Sequence, residues 1–224
     1  MALKEVFPGV YRDGRVLFTV NAPQAKGKGV YGEHIRKVST TEFRAWEPNR
    51  SKLGAAIMKG LKELPIKPGS RVLYLGVAEG TTASHVSDIV GSKGIVFGVD
   101  VAPKVMRKLM EVCEVRTNLL PLLADANHPE SYKNYTDGIK FNCIFQDIAQ
   151  ENQTEILVKN AQAFLEKGGR ALYAVKSQCI DSTRPPREVF AEVKRDLEKY
   201  FDVLEEVNLE PFESGHVLFS LRKK

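Results

Sequence analysis

The strongest constraint on the fold is an alternation, from about residue 49 onward, between short apolar runs and amphipathic segments. The apolar runs have the length of strands and lie at 72–75, 95–99, 119–123, 141–145, 171–175, 203–209 and 216–221. Helical segments are predicted at about 51–64, 80–91, 103–113, 129–135, 153–166 and 186–200, with Gly168 and Gly169 ending the fifth. Continuous apolar strands that alternate with helices indicate a parallel sheet covered on both faces. We therefore predict a doubly wound α/β sheet of seven strands whose last two form an antiparallel pair.

The first 48 residues differ from the rest and predict a small β appendage. Residues 10–20 predict two short strands around an Asp13-Gly14 turn, and extended residues continue to Trp46. We accordingly divide the chain into an N-terminal β domain, 1–48, and an α/β domain, 49–224.

The composition is globular and requires neither disulfides nor a metal. Hydrophobic residues make up 43% and charged residues 27% of the 224 residues. Three scattered cysteines argue for a reducing compartment, and the four histidines are isolated, so we expect no metal site. With no membrane-length apolar run and no evident secretory or nuclear signal, we expect a cytoplasmic protein. The net charge of +5 suggests a polyanionic partner, although many soluble enzymes carry a similar charge.

A glycine-rich turn follows the first strand of the predicted sheet, where α/β folds bind nucleotides. Gly76 and Gly80 have the spacing G-x-x-x-G, which differs from the dinucleotide fingerprint G-x-G-x-x-G. Glu79 within the turn disfavours a pyrophosphate and favours a ligand with positive charge, such as S-adenosylmethionine. Asp100 and Asp125 follow the next two strands, where they can accept hydrogen bonds from a ribose and an adenine amino group. Each acid taken singly is equally a helix cap or a loop residue, but together they favour the cofactor.

Charged residues also mark the later strands. Asp147 and Lys176 follow the fourth and fifth strands, and His216 begins the last. In the usual strand order of this fold, 3-2-1-4-5-7-6, these strands are adjacent, so the three side chains can converge on one hydroxyl. Lys52, in the first turn of the first helix, is either solvated or paired with an anion such as Asp147 or an RNA phosphate.

Four segments resemble the fibrillarin family: 46–53 (WEPNRSKL), 74–85 (YLGVAEGTTASH), 147–150 (DIAQ) and 182–190 (STRPPREVF). The resemblance implies a Rossmann-like class I methyltransferase sheet and an S-adenosylmethionine-dependent RNA 2′-O-methyltransferase. Such an enzyme is the catalytic subunit of a box C/D guide-RNA ribonucleoprotein that modifies rRNA and tRNA. The implied partners are guide RNA and target RNA, a Nop-domain scaffold protein and a kink-turn-binding protein of ribosomal type. Without the glycine- and arginine-rich tail of eukaryotic members, the sequence resembles the archaeal form.

The resemblance also assigns roles to individual residues. The implied catalytic group is Lys52, Asp147, Lys176 and His216. The implied cofactor contacts are Gly76, Gly80, Thr81, Thr82, Asp100, Val101, Asp125, Ala126, Asp147, Ile148, Ala149 and Gln150. Asp100 departs from the glutamate usual in the family, although the shorter acid can still reach ribose hydroxyls. Candidate phosphate contacts are Arg44, Arg50, Arg184 and Arg187, each of which taken singly is also explained as a surface charge.

Two roles stay open for Lys176. The difficult step is activation of a weakly acidic alcohol, which needs a base for its proton and a cation near the developing alkoxide. A lysine beside other cations loses its proton more easily, so Lys176 is either the base or a positioning cation.

Three other functions are compatible with parts of the pattern. A methyltransferase for a small molecule or a protein would lack the two lysines around the crevice. An NAD-binding oxidoreductase conflicts with the glycine spacing and with Glu79. An assembly subunit that binds cofactor without chemistry would not need the complete catalytic group.

Overall fold

The computed structural model describes residues 3–224, so the first two residues of the predicted N-terminal domain lie outside it. The N-terminal part is an antiparallel sheet in the order β1-β2-β3-β5-β4. Its strands are β1 (Lys4–Phe7), β2 (Val10–Asp13), β3 (Val16–Val20), β4 (Ile35–Val38) and β5 (Thr41–Trp46). The predicted hairpin is confirmed, because Asp13 pairs with Val16 across a turn in which Gly14 has φ +58°.

The second sheet has the predicted topology. Its strands are β6 (Arg71–Leu75), β7 (Ile95–Asp100), β8 (Leu119–Leu123), β9 (Phe141–Gln146), β10 (Leu165–Lys176), β11 (Phe201–Asn208) and β12 (His216–Lys223). They lie in the order β11-β12-β10-β9-β6-β7-β8, which is the predicted 3-2-1-4-5-7-6 arrangement. Strand β12 is antiparallel to both neighbours, and the other pairs are parallel. The carboxyl ends of β6–β10 and the start of β12 therefore share one edge of the sheet.

Helices cover both faces of this sheet. They are α1 (Lys52–Met58), α2 (Thr81–Val90), α3 (Pro103–Cys113), α4 (Pro129–Tyr132), α5 (Gln153–Phe164), α6 (Ser177–Ile180) and α7 (Pro186–Leu197). Alternate residues of β6 enter different apolar clusters, Val72 and Tyr74 on one face and Leu73 and Leu75 on the other. This burial on both faces explains why the strands appear in the sequence as continuous apolar runs.

Three predicted helices end too late: α7 stops at Leu197 rather than near residue 200, and the other two have a clear physical cause. Helix α1 ends at Met58, because Gly60 adopts φ +92° and turns the chain. Leu61 and Leu64 are buried beyond the end of the helix, so the apolar spacing in the sequence continues past it. Gly168 and Gly169 do not end α5, which stops at Phe164; they lie within β10, where its register with β9 shifts. The short helix α6 is not among the predicted helices.

The two sheets share one apolar core. Val10, Leu17 and Trp46 of the N-terminal sheet belong to the same buried cluster as Leu53 of α1 and Ile89 of α2. The Trp46 ring stacks on the buried His85 ring of α2 with centroids 4.9 Å apart. The N-terminal sheet is thus packed against the α/β domain. The division of the chain into two domains at residue 48 stays a prediction.

A buried ionic network also joins the N-terminal sheet to α2 and to the loop before β8, and it corrects one predicted RNA contact. Arg44 donates hydrogen bonds to Glu33 Oε1 and Asp88 Oδ2, both at 2.6 Å, and Arg116 donates to Asp88 Oδ1 at 3.3 Å. The Arg44 side chain is fully buried, so it is not available to an RNA phosphate. The prediction of an RNA contact is wrong. The acidic partners of Arg44 lie 11 and 44 residues away in the sequence, so no local pattern indicates that this arginine is buried.

Cys113, Cys143 and Cys179 are free thiols. Within residues 3–224, no helix is both long and apolar enough to cross a bilayer. In the same range, no cluster of histidine, cysteine and acidic side chains is arranged to hold a metal ion.

Candidate active site

A cleft of about 220 Å³ lies at the carboxyl ends of β6, β7, β8 and β9. Nine of the predicted cofactor residues line it: Gly76, Asp100, Val101, Asp125, Ala126, Asp147, Ile148, Ala149 and Gln150. Ala78, Val99 and Ala124 complete the lining. These three were missed because small apolar residues at strand ends carry no signal of their own.

The glycine turn is shaped by close backbone contacts. Gly76 has φ +78°, and a Cβ atom there would lie 2.9 Å from the carbonyl carbon of Asp147 and closer still to its oxygen. Only glycine therefore lets β6 and β9 approach at this point. Asp100 holds the same turn, because its carboxylate accepts from the backbone N–H of Ala78 at 2.9 Å and of Ala102 at 3.0 Å.

Glu79 has a different position from the one expected. Its carboxylate is half exposed, forms an ion pair with Lys108 at 2.6 Å and does not line the cleft. The expectation that Glu79 balances positive charge on a ligand is therefore wrong. The acids that do line the cleft are Asp100, Asp125 and Asp147.

Gly80, Thr81 and Thr82 do not line the cleft. Gly80 precedes α2 with φ +91°, where an added Cβ would lie 2.7 Å from Leu109. Thr82 is buried and donates to Ser51 Oγ at 2.9 Å, and Ser51 Oγ accepts from the N–H of Gly54 at the start of α1. Thr82 thus anchors the helix end that carries Lys52. Ser51 was missed, although serine immediately before a helix is a recognisable capping signal.

Asp125 is held by a polar network at the rim of the cleft. Its Oδ1 accepts from the backbone and side-chain nitrogens of Asn127, both at 2.9 Å, and these bonds lower the pKa of Asp125. Asn127 also donates to Gln150 Oε1 at 3.0 Å. The carboxylate is therefore charged at neutral pH and linked to the opposite wall of the cleft. Asn127 carries no local sequence signal that would mark it as part of the site.

Lys52 and Asp147 form an ion pair between α1 and the end of β9. The Lys52 ammonium lies 2.9 Å from Asp147 Oδ1 and 3.1 Å from Oδ2, with side-chain exposures of 19% and 23%. Of the two partners expected for Lys52, the structure contains the carboxylate. Because Asp147 also lines the cleft, the pair connects the cleft with the rest of the predicted catalytic group.

Lys176 and His216 are directly opposite each other in the antiparallel ladder of β10 and β12. His216 is 6% exposed, and its Nδ1 lies 2.7 Å from the Ser214 carbonyl oxygen. Burial lowers the pKa of His216 and the nearby Lys52 acts in the same direction, whereas the Ser214 carbonyl, Glu213 and Asp147 oppose them. A carbonyl only accepts, so Nδ1 carries the proton and the neutral ring keeps Nε2 as an acceptor.

His216 also borders a second groove, of about 830 Å³, between α7 and the β11–β12 pair. Pro185, Pro186 and Phe190 supply apolar surface there, and the exposed Arg187 lies on the same groove. Arg50 is exposed and its guanidinium stacks over Tyr31 at 5.2 Å. Arg184 lies apart from this groove and is paired with Glu192 at 2.6 Å and Glu188 at 3.7 Å.

Comparison with known proteins identifies the family. The fibrillarin family model matches residues 1–224. The chain is 51% identical to a fibrillarin-like rRNA/tRNA 2′-O-methyltransferase of Pyrococcus horikoshii, over 98% of this chain and 97% of that protein. A crystal structure of Aeropyrum pernix fibrillarin with natively bound S-adenosyl-L-methionine aligns with TM-score 0.88 and 40% identity, over 99% and 98% of the two chains. A fibrillarin/Nop5p complex aligns with TM-score 0.89 and 39% identity, over 99% and 100%. The chain belongs to the fibrillarin family.

Proposed function

We propose that this chain is an S-adenosylmethionine-dependent RNA 2′-O-methyltransferase that modifies rRNA and tRNA. The observation that carries the proposal is the position of Asp147, which lines the cleft and also holds the Lys52 ammonium at 2.9 Å. A ligand in the cleft therefore lies beside the group of charged residues able to act on a hydroxyl. The names of the related proteins support the same reaction.

The cleft fits the proposed cofactor in its chemistry. The close backbone approach at Gly76 leaves its floor without side-chain bulk, and Asp100 and Asp125 present carboxylate acceptors along it. Asp147 adds a third negative charge, which suits a ligand with a sulfonium and an amino group. When bound, S-adenosylmethionine supplies a methyl group on positively charged sulfur, an electrophile that needs no metal. In this proposal Thr82 acts indirectly by holding the start of α1, Gly80 acts indirectly by letting α2 begin close to Leu109, and Thr81 stays a predicted cofactor contact.

The catalytic group acts on the ribose hydroxyl. Lys52 is engaged by Asp147, whereas Lys176 Nζ has no hydrogen-bond or ion-pair partner within residues 3–224. Lys176 is therefore the amine available to the incoming hydroxyl, either to take its proton or to stabilise the alkoxide. His216, neutral with Nε2 as acceptor, orients the hydroxyl or the Lys176 ammonium.

The RNA strand passes along the groove that His216 borders. Arg187 provides a phosphate contact there, and Phe190 provides an apolar surface for a base. Arg50 is a second exposed candidate. Arg184 contributes less in this proposal, because two glutamates already balance its charge.

The proposed setting is a box C/D ribonucleoprotein in the cytoplasm of an archaeal-type cell. The net charge of +5 and the few exposed arginines near the site imply weak affinity for RNA alone, so specificity comes from a guide RNA. A Nop-domain scaffold protein would hold the enzyme, as the fibrillarin/Nop5p complex suggests. A kink-turn-binding protein of ribosomal type would complete the particle.

One experiment tests the reaction and the setting together. The chain is assembled with guide RNA and both scaffold proteins, and transfer of a labelled methyl group to a target RNA is measured. We expect methylation of one guide-specified 2′-oxygen, lost when that nucleotide is a 2′-deoxy analogue, and poor transfer by the lone chain. Transfer to a base, or none while S-adenosylmethionine is bound, contradicts the proposed reaction. Equal transfer by the lone chain to unguided RNA contradicts the proposed setting.

A further inference from the structure

The Gln153 side chain lies between the cleft and the strand end that carries Lys176. Gln153 is the first residue of α5 and is fully buried. Its Nε2 donates to the Gln150 carbonyl at 2.8 Å and lies 3.4 Å from the Lys176 carbonyl oxygen. Its Oε1 accepts from the Lys176 backbone N–H at 3.3 Å. One amide group thus contacts both polar groups of the Lys176 backbone and one carbonyl of the cleft wall.

The topology explains why a side chain is needed there. The ladder between β9 and β10 ends at the pair Gln146 and Tyr173. Beyond it, the Asp147 backbone N–H donates to Leu75 of β6 at 2.9 Å, which continues the β6–β9 ladder after the β9–β10 ladder has ended. Lys176 would then have no hydrogen-bonding neighbour on its β9 side. Gln153 takes the place of the missing strand, since its amide offers a donor and an acceptor like a peptide group.

The Gln153 backbone is fixed as well. Its carbonyl accepts from Gln146 Nε2 at 2.6 Å, and Gln146 is itself fully buried in β9. A buried donor or acceptor left without a partner costs about 1–3 kcal/mol, so this chain of bonds strongly favours one arrangement of Lys176 relative to the cleft wall. An apolar residue at 153 would leave the Lys176 N–H and the Gln150 carbonyl without this partner.

We propose that Gln153 is a positioning residue for methyl transfer, which holds Lys176 in a fixed position relative to the cleft wall at Gln150. This inference rests on the proposed function, since it assumes that Lys176 acts on the hydroxyl. It concerns a residue that touches neither the cleft nor the groove at His216. The consequence is that a substitution outside both surfaces lowers the transfer rate more than it lowers cofactor affinity.

The first test replaces Gln153 by methionine, which keeps the length and removes the hydrogen bonds. The matched control is Gln162→Met, an exposed glutamine on the same helix. Amide hydrogen exchange at Lys176 should accelerate at least ~10-fold in Gln153→Met. Because small misplacements of catalytic groups are costly, the single-turnover rate in the assembled particle should fall ~10–100-fold. The Kd for S-adenosylmethionine should change by less than about 3-fold, and the control should match the unaltered chain.

A second variant uses pH to separate positioning from general damage. Gln153→Glu places a carboxyl in a buried site, where the neutral acid is favoured and offers one donor and one acceptor. We expect its transfer rate, divided by that of the unaltered chain at the same pH, to rise as the pH is lowered from 8 to 6. A purely structural defect would leave this ratio flat. The variant also keeps the inference testable if Gln153→Met does not fold.

The outcomes distinguish this inference from the proposed function. If the unaltered particle transfers no methyl group, the proposed function fails, and Lys176 amide exchange still reports whether Gln153 holds that backbone. If the unaltered particle is active and folded Gln153→Met has an unchanged transfer rate, the positioning role is refuted. A rate ratio for Gln153→Glu that stays flat and well below one, or unchanged Lys176 exchange in Gln153→Met, refutes it as well.

Discussion

The ammonium of Lys52 reaches both carboxylate oxygens of Asp147, at 2.9 Å and 3.1 Å, across 95 positions of the sequence. The pair joins the first turn of α1 to the wall of the cleft. Lys52 is anchored there because Ser51 caps the helix and is itself bonded to Thr82. The charges of Lys52 and Asp147 balance each other. Lys176, the second lysine of the predicted catalytic group, is therefore the one available to the substrate.

The first prediction concerns Gly76 and cofactor binding. In Gly76→Ala the added methyl group overlaps the Asp147 backbone, which must shift and deform the cleft. Overlap of this kind costs about 1–3 kcal/mol, so S-adenosylmethionine affinity measured by calorimetric titration should fall ~10–100-fold.

The control for this variant is Gly138→Ala. Gly138 also has positive φ, +72°, but a Cβ there meets nothing within 4 Å. It therefore carries the backbone strain without the overlap and should bind the cofactor like the unaltered chain. Equal affinities in both variants and the unaltered chain would mean that the cofactor does not occupy this cleft.

The second prediction concerns Arg44 and stability. Arg44→Ala leaves the buried carboxylates of Glu33 and Asp88 without their main partner. Breaking a buried ion pair costs about 3–5 kcal/mol, which should appear as a loss in the free energy of unfolding by chemical denaturation. The exposed Arg187 is the matched control, and Arg187→Ala should change that free energy by less than ~0.5 kcal/mol. If Arg44→Ala were as stable as the unaltered chain and bound RNA less tightly, the result would contradict this account and support Arg44 as a phosphate contact.

The third prediction concerns pH and His85. Burial, with Arg44 and Arg116 nearby, holds the pKa of His85 well below its ordinary value. The unfolded chain therefore binds this proton first as the pH falls through about 6.5, and the folded state loses stability below that pH. The contribution of His85 to the free energy of unfolding should fall by about 1 kcal/mol between pH 7.5 and 5.5.

The measurement is chemical denaturation at the two pH values. His85→Gln should show a smaller decrease than the unaltered chain, because glutamine does not titrate. His128→Gln replaces an exposed histidine and serves as the control. An identical decrease in His85→Gln and the unaltered chain would contradict the account.

The sheet could be predicted because the pattern that indicates it lies in residues that are neighbours in the sequence. Continuous apolar runs separated by helical segments indicate a parallel sheet, and the strand order then places the ends of β9 and β10 beside the start of β12. The pairing of Lys176 with His216 follows from that order. What could not be predicted depends on distant partners. Arg44 looks like a surface charge until Glu33 and Asp88 fold around it.

Gln153 shows the same limit within the site. A glutamine at the start of a helix is an ordinary surface residue by its sequence. Its role depends on the divergence of β9 and β10 after Gln146, a feature that arises only in the assembled sheet. No local pattern marks it.

The central claim is tested most directly by single-turnover methyl transfer in the assembled particle, with Lys176→Ala and Lys176→Arg beside the unaltered chain. A base contributes typically ~10²–10⁴-fold, so Lys176→Ala should lose at least ~10²-fold while S-adenosylmethionine binds normally. Lys176→Arg keeps the charge but cannot release its proton near neutral pH. If Lys176→Arg is as inactive as Lys176→Ala, Lys176 acts as the base. If Lys176→Arg recovers most of the activity, Lys176 acts as a positioning cation. Undiminished transfer by Lys176→Ala would contradict the assignment of this residue to the reaction.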